Sequence, residues 1–339
     1  MADGLHIAVV GATGLVGREI VDVLEERGFP TASLRLLASP RSAGAILTFR
    51  GETQKVQLAE PNAFAGVDLV LMSAGSQVSA ELAPAATAAG AVVIDNSSYW
   101  RMDPAVPLVV PEVNAADAGT WGACPIIANP NCATIQIVVA LAPLHQAAGL
   151  QRMVVATYQA VSGCGQKGLD ELGEQVTALY NHQEVAPKVF AKRIAFNCLP
   201  QIDSFDEDGS TGEEQKIARE SRKILHLPKL GVCATCVRVP VFNGHAVALV
   251  AEFERPLTAA AARDILRQAP GVILQDEPHR HIYPTPVDVA GEDATYVGRV
   301  RADPSAANGL ALWAVADNLR KGAATNAVQI AEVLLRSRP

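Results

Sequence analysis

An α/β fold is predicted, with a doubly wound parallel sheet at the N-terminus and a following α+β domain built on a mixed or antiparallel sheet. Three features of the 339-residue chain predict it. Continuous apolar runs of strand length alternate with helical periodicity over the first 130 residues, as strands covered on both faces require. Beyond residue 150 the strand patterns lengthen and begin to alternate between apolar and polar residues. The last segment, "GAATNAVQIAEVLLRS", is an amphipathic helix able to return to the first domain.

Taken in order, "LHIAVVG" is a buried strand ending at Gly11. "GREIVDVLEERG" follows with Ile20, Val21 and Leu24 at helical spacing and stops at Gly28. "SLRLLAS", "VDLVLMSAG", "AVVIDNSS" and "PIIANP" read as further short strands, with an alanine-rich helix, "SQVSAELAPAATAAG", between the second and third of them. In the second half "RMVVATYQAVSG", "CVRVPVFNG" and "HAVALVAEFERP" read as strands, and "GEEQKIARESRKIL" and "TAAAARDILRQA" as helices. Residues 206–212, "DEDGSTG", form the most loop-like stretch. The expected boundaries are 1–131 for the first domain, with a helix at about 321–339 returning to it, and 132–320 for the second.

Composition narrows the function. Hydrophobic residues make up 49% and charged residues 19%, an ordinary globular balance. The net charge of −7, with no basic run, argues against nucleic acid as a partner. No apolar window reaches transmembrane length, so no membrane association is expected. The N-terminus enters a strand at once, without a basic region and cleavage site, and no signal peptide is expected. Six cysteines are scattered through apolar or glycine-rich segments, as suits reduced thiols in a cytoplasm. Cys233 and Cys236 spell C-x-x-C, but inside a strand-like run and without a second pair. No metal site is expected.

"VVGATGLVGREI" sets Gly11, Gly14 and Gly17 between a strand and a helix. Glycine there lets backbone approach a pyrophosphate, and the helix N-terminus offers unpaired N–H groups to hold it. The context is that of a Rossmann-like dinucleotide-binding domain. A tight structural turn is the plainer reading. After the second strand, "LLASPRSAG" supplies Ser39, Arg41 and Ser42 where an enzyme that prefers NAD would place a carboxylate. A guanidinium flanked by hydroxyls suits the 2′-phosphate of NADP; a solvated loop arginine is the alternative.

Cys132, in "ANPNCATIQ", is expected in the first turn of a long apolar helix, behind a rigid Asn-Pro-Asn corner. Orphan N–H groups and the helix dipole favour a thiolate there. Beside a nicotinamide, such a thiolate can take up an acyl group as a thioester and present it to hydride. An inert core cysteine is the competing reading. His245, in "VPVFNGHAVAL", interrupts two apolar strands and can serve as acid and base, although a lone histidine at a strand start is often structural.

These residues sit in a longer series of motifs: "GATGLVG", "LASPRSAG", "DNSSYWRMDPAVPLVVPEVN", "NPNCATIQ", "TYQAVSGCG", "GEEQKI", "RVPVFNGH" and "DNLRKGAATNAVQIAE". In content and order the series resembles the bacterial NADP-dependent aspartate-semialdehyde dehydrogenases over nearly the whole chain. The resemblance implies reductive dephosphorylation of L-4-aspartyl phosphate to L-aspartate 4-semialdehyde and phosphate, a step toward lysine, threonine and methionine. It implies Cys132 as the acyl-thioester nucleophile, Gln159 as the residue that orients the thioacyl group, and His245 as acid/base. Arg238 would hold the substrate α-carboxylate, Glu213 its amino group, and Arg101, Asn131 and Lys216 the phosphate. For NADP it implies Gly11, Thr13, Gly14, Leu15, Val16, Gly17, Ser39, Arg41, Ser42, Ser73, Ser162, Gly163 and Asn318. It further implies a catalytic and dimerisation role for the second domain, and a homodimer formed through its sheet.

Plainer readings stay open. Arg101 and Lys216 can be surface charges, and Glu213 can simply pair with Lys216 one helical turn away. Two positions depart from the family pattern. Cys164 stands where alanine is usual, with an expected effect on cofactor fit or oxidation sensitivity, and Ala246 replaces a serine expected to support His245. The enzymatic rivals are N-acetyl-glutamyl-phosphate reductase, which is similar to Asn-Pro-Gly-Cys at the nucleophile, and more distantly glyceraldehyde-phosphate dehydrogenase. A non-catalytic NADP-binding paralogue is the alternative from another class.

Overall fold

The computed structural model describes residues 4–338. By contacts the chain divides into two compact units, 1–131 with 323–339, and 132–322.

In the first unit, eight strands form in chain order: β1 (Leu5–Val10), β2 (Thr31–Ala38), β3 (Ile46–Phe49), β4 (Glu52–Lys55), β5 (Gln57–Leu58), β6 (Leu69–Met72), β7 (Val92–Asp95) and β8 (Ile126–Ala128). Six build a parallel sheet of order β5-β2-β1-β6-β7-β8, and β3 with β4 makes a separate antiparallel hairpin. The helices are α1 (Leu15–Glu26), α2 (Ser76–Ala88) and the single turn α3 (Pro111–Asn114). The continuous apolar reading of β1 has a direct cause. Leu5, Ile7 and Val9 point into one core with Ile20 and Leu24 of α1, while Ala8 and Val10 point into another with Leu82, Ala83 and Ala86 of α2. Period-two alternation thus feeds two cores, one on each face of the sheet.

The second unit opens with α4 (Cys132–Ala148), almost wholly buried, and contains α5 (Gln166–Tyr180), α6 (Gly212–Ile224), α7 (Ala259–Gln268) and the short α8 (Pro286–Val289). Its strands are β9 (Leu150–Gln159), β10 (Gly231–Arg238), β11 (His245–Phe253), β12 (Val272–Leu274), β13 (Thr295–Asp303) and β14 (Gly309–Ala316). They form one mixed sheet of order β10-β9-β11-β14-β13-β12, parallel at both outer pairs and antiparallel between. The final helix, α9 (Thr325–Leu335), belongs to the first unit and buries Ala327, Val328, Ile330, Ala331 and Leu334 in the core beside α1.

The strand expected across "CVRVPVFNG" ends sooner. It stops at Arg238, because Pro240 has no N–H to continue a ladder, and the Arg238 backbone pairs with Leu199 instead. Cys233 and Cys236 both lie on β10, Cys233 exposed and Cys236 buried, and burial pushes the Cys236 thiol up to about 12. Three residues apart on a strand, they project from opposite faces and cannot share a ligand. Among the described residues no helix is long and apolar enough to cross a membrane, and no three His, Cys, Asp or Glu side chains converge as metal ligands.

Candidate active site

The glycine loop has a division of labour that its spacing alone could not reveal. Gly11 lies at φ +82°, and a Cβ there would stand 2.1 Å from the Ser73 carbonyl oxygen. A Cβ on Gly17 would stand 2.1 Å from the Gly11 carbonyl oxygen, so this glycine is fixed by helix–strand packing. Gly14 caps α1, is exposed, and would meet only the Gly11 oxygen at 3.4 Å. One glycine for the turn, one for packing and one open toward solvent is the arrangement that admits a pyrophosphate at a helix N-terminus. Thr13, Leu15 and Val16 are half-buried around this mouth, no acidic side chain occupies the first turn of α1, and Ser73 leaves β6 beside Gly11. The residues present therefore fit a dinucleotide. Ser39 and Arg41 are exposed and Ser42 half-buried on the turn after β2, where Ser42 and Ala43 donate their N–H groups to the Ser39 carbonyl.

In the same unit, β7 ends in a buried carboxylate that organises the next turn. Asp95 accepts the Ser97 hydroxyl at 2.5 Å and the Ser97 N–H at 3.1 Å, and burial raises its pKa despite those bonds. Arg101, 8% exposed, donates from this turn to the Asn96 carbonyl at 2.8 Å. Asn129 ties the Asn-Pro-Asn corner down. It donates to the Asn96 side chain at 2.8 Å and accepts from Asn326 of α9 at 2.7 Å. Asn131 is buried at the end of this corner.

In the second unit, α4 begins at Cys132 itself, which is only partly buried. Gln159 and Arg238 are register partners at the ends of β9 and β10. His245 is the first residue of β11. All three are buried. Arg238 Nη1 donates to the Ala160 carbonyl at 2.7 Å, and the Ala160 N–H donates to His245 Nδ1 at 3.1 Å. That second bond fixes the neutral ring as the tautomer protonated on Nε2, which is buried and has no hydrogen-bond partner among the described residues. Burial, and then the Arg238 charge, hold the imidazole well below its ordinary pKa. Gly163 must lack a side chain, since its Cβ would lie 2.7 Å from Arg238 Nη1 and 3.5 Å from His245 Nε2.

The sign of the pH effect follows. A histidine whose folded pKa is depressed binds its proton more readily in the unfolded chain, so stability falls as pH drops below about 6.5. Denaturant unfolding between pH 7 and pH 5 is expected to lose up to about 1.4 kcal/mol per pH unit from this group. A His245→Asn variant should show the shallower slope; an unchanged slope would mean that His245 is charged in the folded protein.

A capping box at Thr211 and Glu214 starts α6 and places Glu213 and Lys216 on its first turns. Gln159 Nε2 donates to Glu213 Oε1 at 3.2 Å. Lys216 Nζ donates to Glu213 at 3.3 Å and to Asp203 at 2.8 Å. Burial pulls the Lys216 pKa down, but the two carboxylates outweigh it and leave it raised. The pairing of Glu213 with Lys216 is thus real, and Asp203, which the sequence reading missed, completes it. Asp203 sits at φ +73° in the loop before α6, where no motif marks it. Ser162 and Asn318 bond each other, Asn318 Nδ2 donating to the Ser162 hydroxyl at 2.9 Å, and Asn318 Oδ1 accepts the Gly244 N–H at 3.0 Å, just before His245.

A cavity of about 820 Å³ in this unit is lined by Arg238, Asp203, Lys192, Gln201, Cys164 and Cys198, among others. Cys164 therefore faces the arginine, and burial raises its pKa. The absence of a hydroxyl at position 246 does not leave the His245 ring unheld. Ala246 packs with Val289, Tyr296 and Val315, because neighbouring strand residues face opposite ways, and the imidazole takes its bond from Ala160 instead.

Two family models match the chain: a semialdehyde dehydrogenase NAD binding domain at residues 6–121, and a semialdehyde dehydrogenase dimerisation domain at 141–321. The chain is 52% identical over 336 residues to aspartate-semialdehyde dehydrogenase of Aquifex aeolicus (98% of each chain). It is 49% identical over 342 residues to the enzyme of that name from Bacillus subtilis (98% of each). Among solved structures it is similar to aspartate semialdehyde dehydrogenase II of Vibrio cholerae complexed with ASA, with TM-score 0.97, 48% identity and full coverage of both chains. It is also similar to the Candida albicans enzyme with NADP, with TM-score 0.77, 26% identity, and 98% and 99% coverage. Fold and site thus define a nicotinamide-dependent oxidoreductase. The chain belongs to the aspartate-semialdehyde dehydrogenase family.

Proposed function

We infer that this oxidoreductase reduces L-4-aspartyl phosphate to L-aspartate 4-semialdehyde with release of phosphate, and that Cys132 is its nucleophile. The observation that carries the assignment is the placement of Cys132 at the first position of α4, in the same unit as the Gln159–Glu213 pair and the Arg238–Ala160–His245 chain. The Cys132 sulfur attacks the acyl carbon, forming a C–S bond as the C–O bond to phosphate breaks. Arg101, Asn131 and Lys216 neutralise the departing charge, Lys216 exchanging a carboxylate partner for phosphate. Arg238 grips the α-carboxylate while its Nη1 stays anchored on the Ala160 carbonyl, and Glu213 takes the amino group. Gln159 orients the thioacyl group. Through its Nε2–H, His245 donates to the carbonyl oxygen as charge develops there, the role its tautomer permits. A bound nicotinamide would supply hydride to the thioester carbon, and the C–S bond then breaks to release the aldehyde and return the Cys132 thiolate.

The same chemistry on N-acetyl-glutamyl phosphate is the rival, and Asn131 in place of glycine before Cys132 favours the aspartyl substrate. Running the reaction in reverse, with either aldehyde, phosphate and oxidised cofactor, tests this. Activity with aspartate semialdehyde that depends on phosphate is expected, and preference for the N-acetyl-glutamate aldehyde would refute the assignment.

NADP is assigned over NAD because the turn after β2 offers Ser39, Arg41 and Ser42 and no carboxylate. Arg41→Ala should weaken NADP binding by about 10-fold or more while leaving NAD binding unchanged; equal losses for both would remove Arg41 from the 2′-phosphate. A homodimer through the second unit's sheet is supported by the matched dimerisation domain and by Tyr158, 39% exposed and in ring contact with Trp313. Sedimentation equilibrium should return the mass of two chains; a single-chain mass would refute it. Among the described residues none of the six cysteines forms a disulfide, which suits a reducing cytoplasm.

A further inference from the structure

Gly322 is buried in a π-helical turn, Arg320–Ala324, that precedes α9, and its backbone dihedrals are ordinary, since it is absent from the residues of positive φ. Conformation therefore does not require glycine here. Space does. A Cβ at Gly322 would stand 2.8 Å from the Cys132 Cβ, 3.3 Å from the Cys132 Cα and 3.4 Å from the Asp317 carbonyl oxygen. The bare backbone of Gly322 is the surface against which the first residue of α4 is seated.

The turn that carries this glycine is built around one buried carboxylate. Asp317 Oδ1 accepts the N–H of Leu319 at 2.8 Å and of Arg320 at 3.2 Å, and Oδ2 accepts the N–H of Gly291 at 2.8 Å. The Asp317 carbonyl accepts the Gly322 N–H at 2.9 Å, the wide bond that makes the turn π rather than α. Between these anchors Asn318 reaches Ser162 and the Gly244 N–H. One six-residue turn thus touches Cys132 at one end and the backbone leading into His245 at the other.

We propose that Asp317 and Gly322 are positioning residues that set Cys132 in register with the start of β11 through this turn. The proposal rests on the reading of Cys132 as nucleophile. Displacing a reacting group by about 1 Å costs on the order of 100-fold in rate, with little effect on binding. An alanine at a helical glycine ordinarily stabilises, so the clash predicts a change of the opposite sign.

The test is Gly322→Ala in the full-length enzyme, with four measurements: kcat, KM for aspartate semialdehyde, thermal midpoint, and the rate of Cys132 alkylation by iodoacetamide followed on its peptide. Expected are a kcat lower by about 10- to 100-fold, a KM within about 3-fold, a lower midpoint, and an alkylation rate changed several-fold. Asp317→Asn keeps an acceptor for Leu319 and Arg320, and should retain clearly more kcat than Asp317→Ala. If Gly322→Ala is too unstable to assay, it is made in a Cys132→Gly background, where most of the lost thermal stability should return. Unchanged kcat and alkylation, or a stability loss identical in both backgrounds, would overturn the proposal. Full turnover of Cys132→Ala would instead overturn the nucleophile on which it rests, and the two failures are separate.

Discussion

Cys132→Ala is expected to lower turnover by at least about 10⁴-fold, with titrated NADPH affinity unchanged within about 2-fold. The split follows from where the residue sits. The glycine loop and the turn after β2, to which we assign the dinucleotide, belong to the first unit, while Cys132 begins the second. The residue is only partly buried, at the head of a helix most of whose remaining residues are buried. Its truncation therefore removes little packing. Steady-state assay and fluorescence titration check the two halves. Turnover within about 10-fold of the unsubstituted enzyme would end the thioester account.

His245→Asn is expected to cost about 10²- to 10⁴-fold in kcat while preserving the fold. The asparagine carboxamide oxygen can accept the Ala160 N–H as Nδ1 does at 3.1 Å, so the strand start keeps its bond. What is lost is the Nε2–H, which has no hydrogen-bond partner among the described residues. Because burial and Arg238 keep the ring neutral, the kcat profile of the unsubstituted enzyme should carry no acid limb near pH 6.5 from this residue. A limb near pH 6.5 that disappears in the variant would mean that the histidine cycles through its charged form. A kcat unchanged in His245→Asn would make the residue structural.

Much of this was legible in the residues. Strand-length apolar runs revealed the parallel sheet because both faces of β1 are buried, and Cys132 was placed at a helix mouth because Asn-Pro-Asn cannot continue a strand or begin a helix earlier. The return of α9 was legible in its apolar stripe. What stayed unread divides into locally paired elements and contacts between residues far apart in the chain. β13 and β14 pair with each other as chain neighbours, and "GLALWAVA" of β14 is itself a strand-length apolar run, so these strands carried a local signal that the motifs did not draw attention to; α5 serves a small core of its own. Asp203 joins Lys216 from 13 residues away, and Gly322 meets Cys132 only after nearly two hundred intervening residues. The effect expected from the missing hydroxyl at position 246 is bypassed for a related reason. Strand alternation fixes which way a side chain points, and the partner of His245 was the backbone of Ala160, a group no motif displays.

The most direct test of the central claim is to mix enzyme and L-4-aspartyl phosphate without reduced cofactor, quench in acid, and map the covalent adduct by peptide mass spectrometry. One aspartyl group on the peptide that carries Cys132, released on addition of NADPH before the quench, is the predicted result. An adduct on Cys164 or Cys198 in its place, or none while phosphate is still released, would contradict the account.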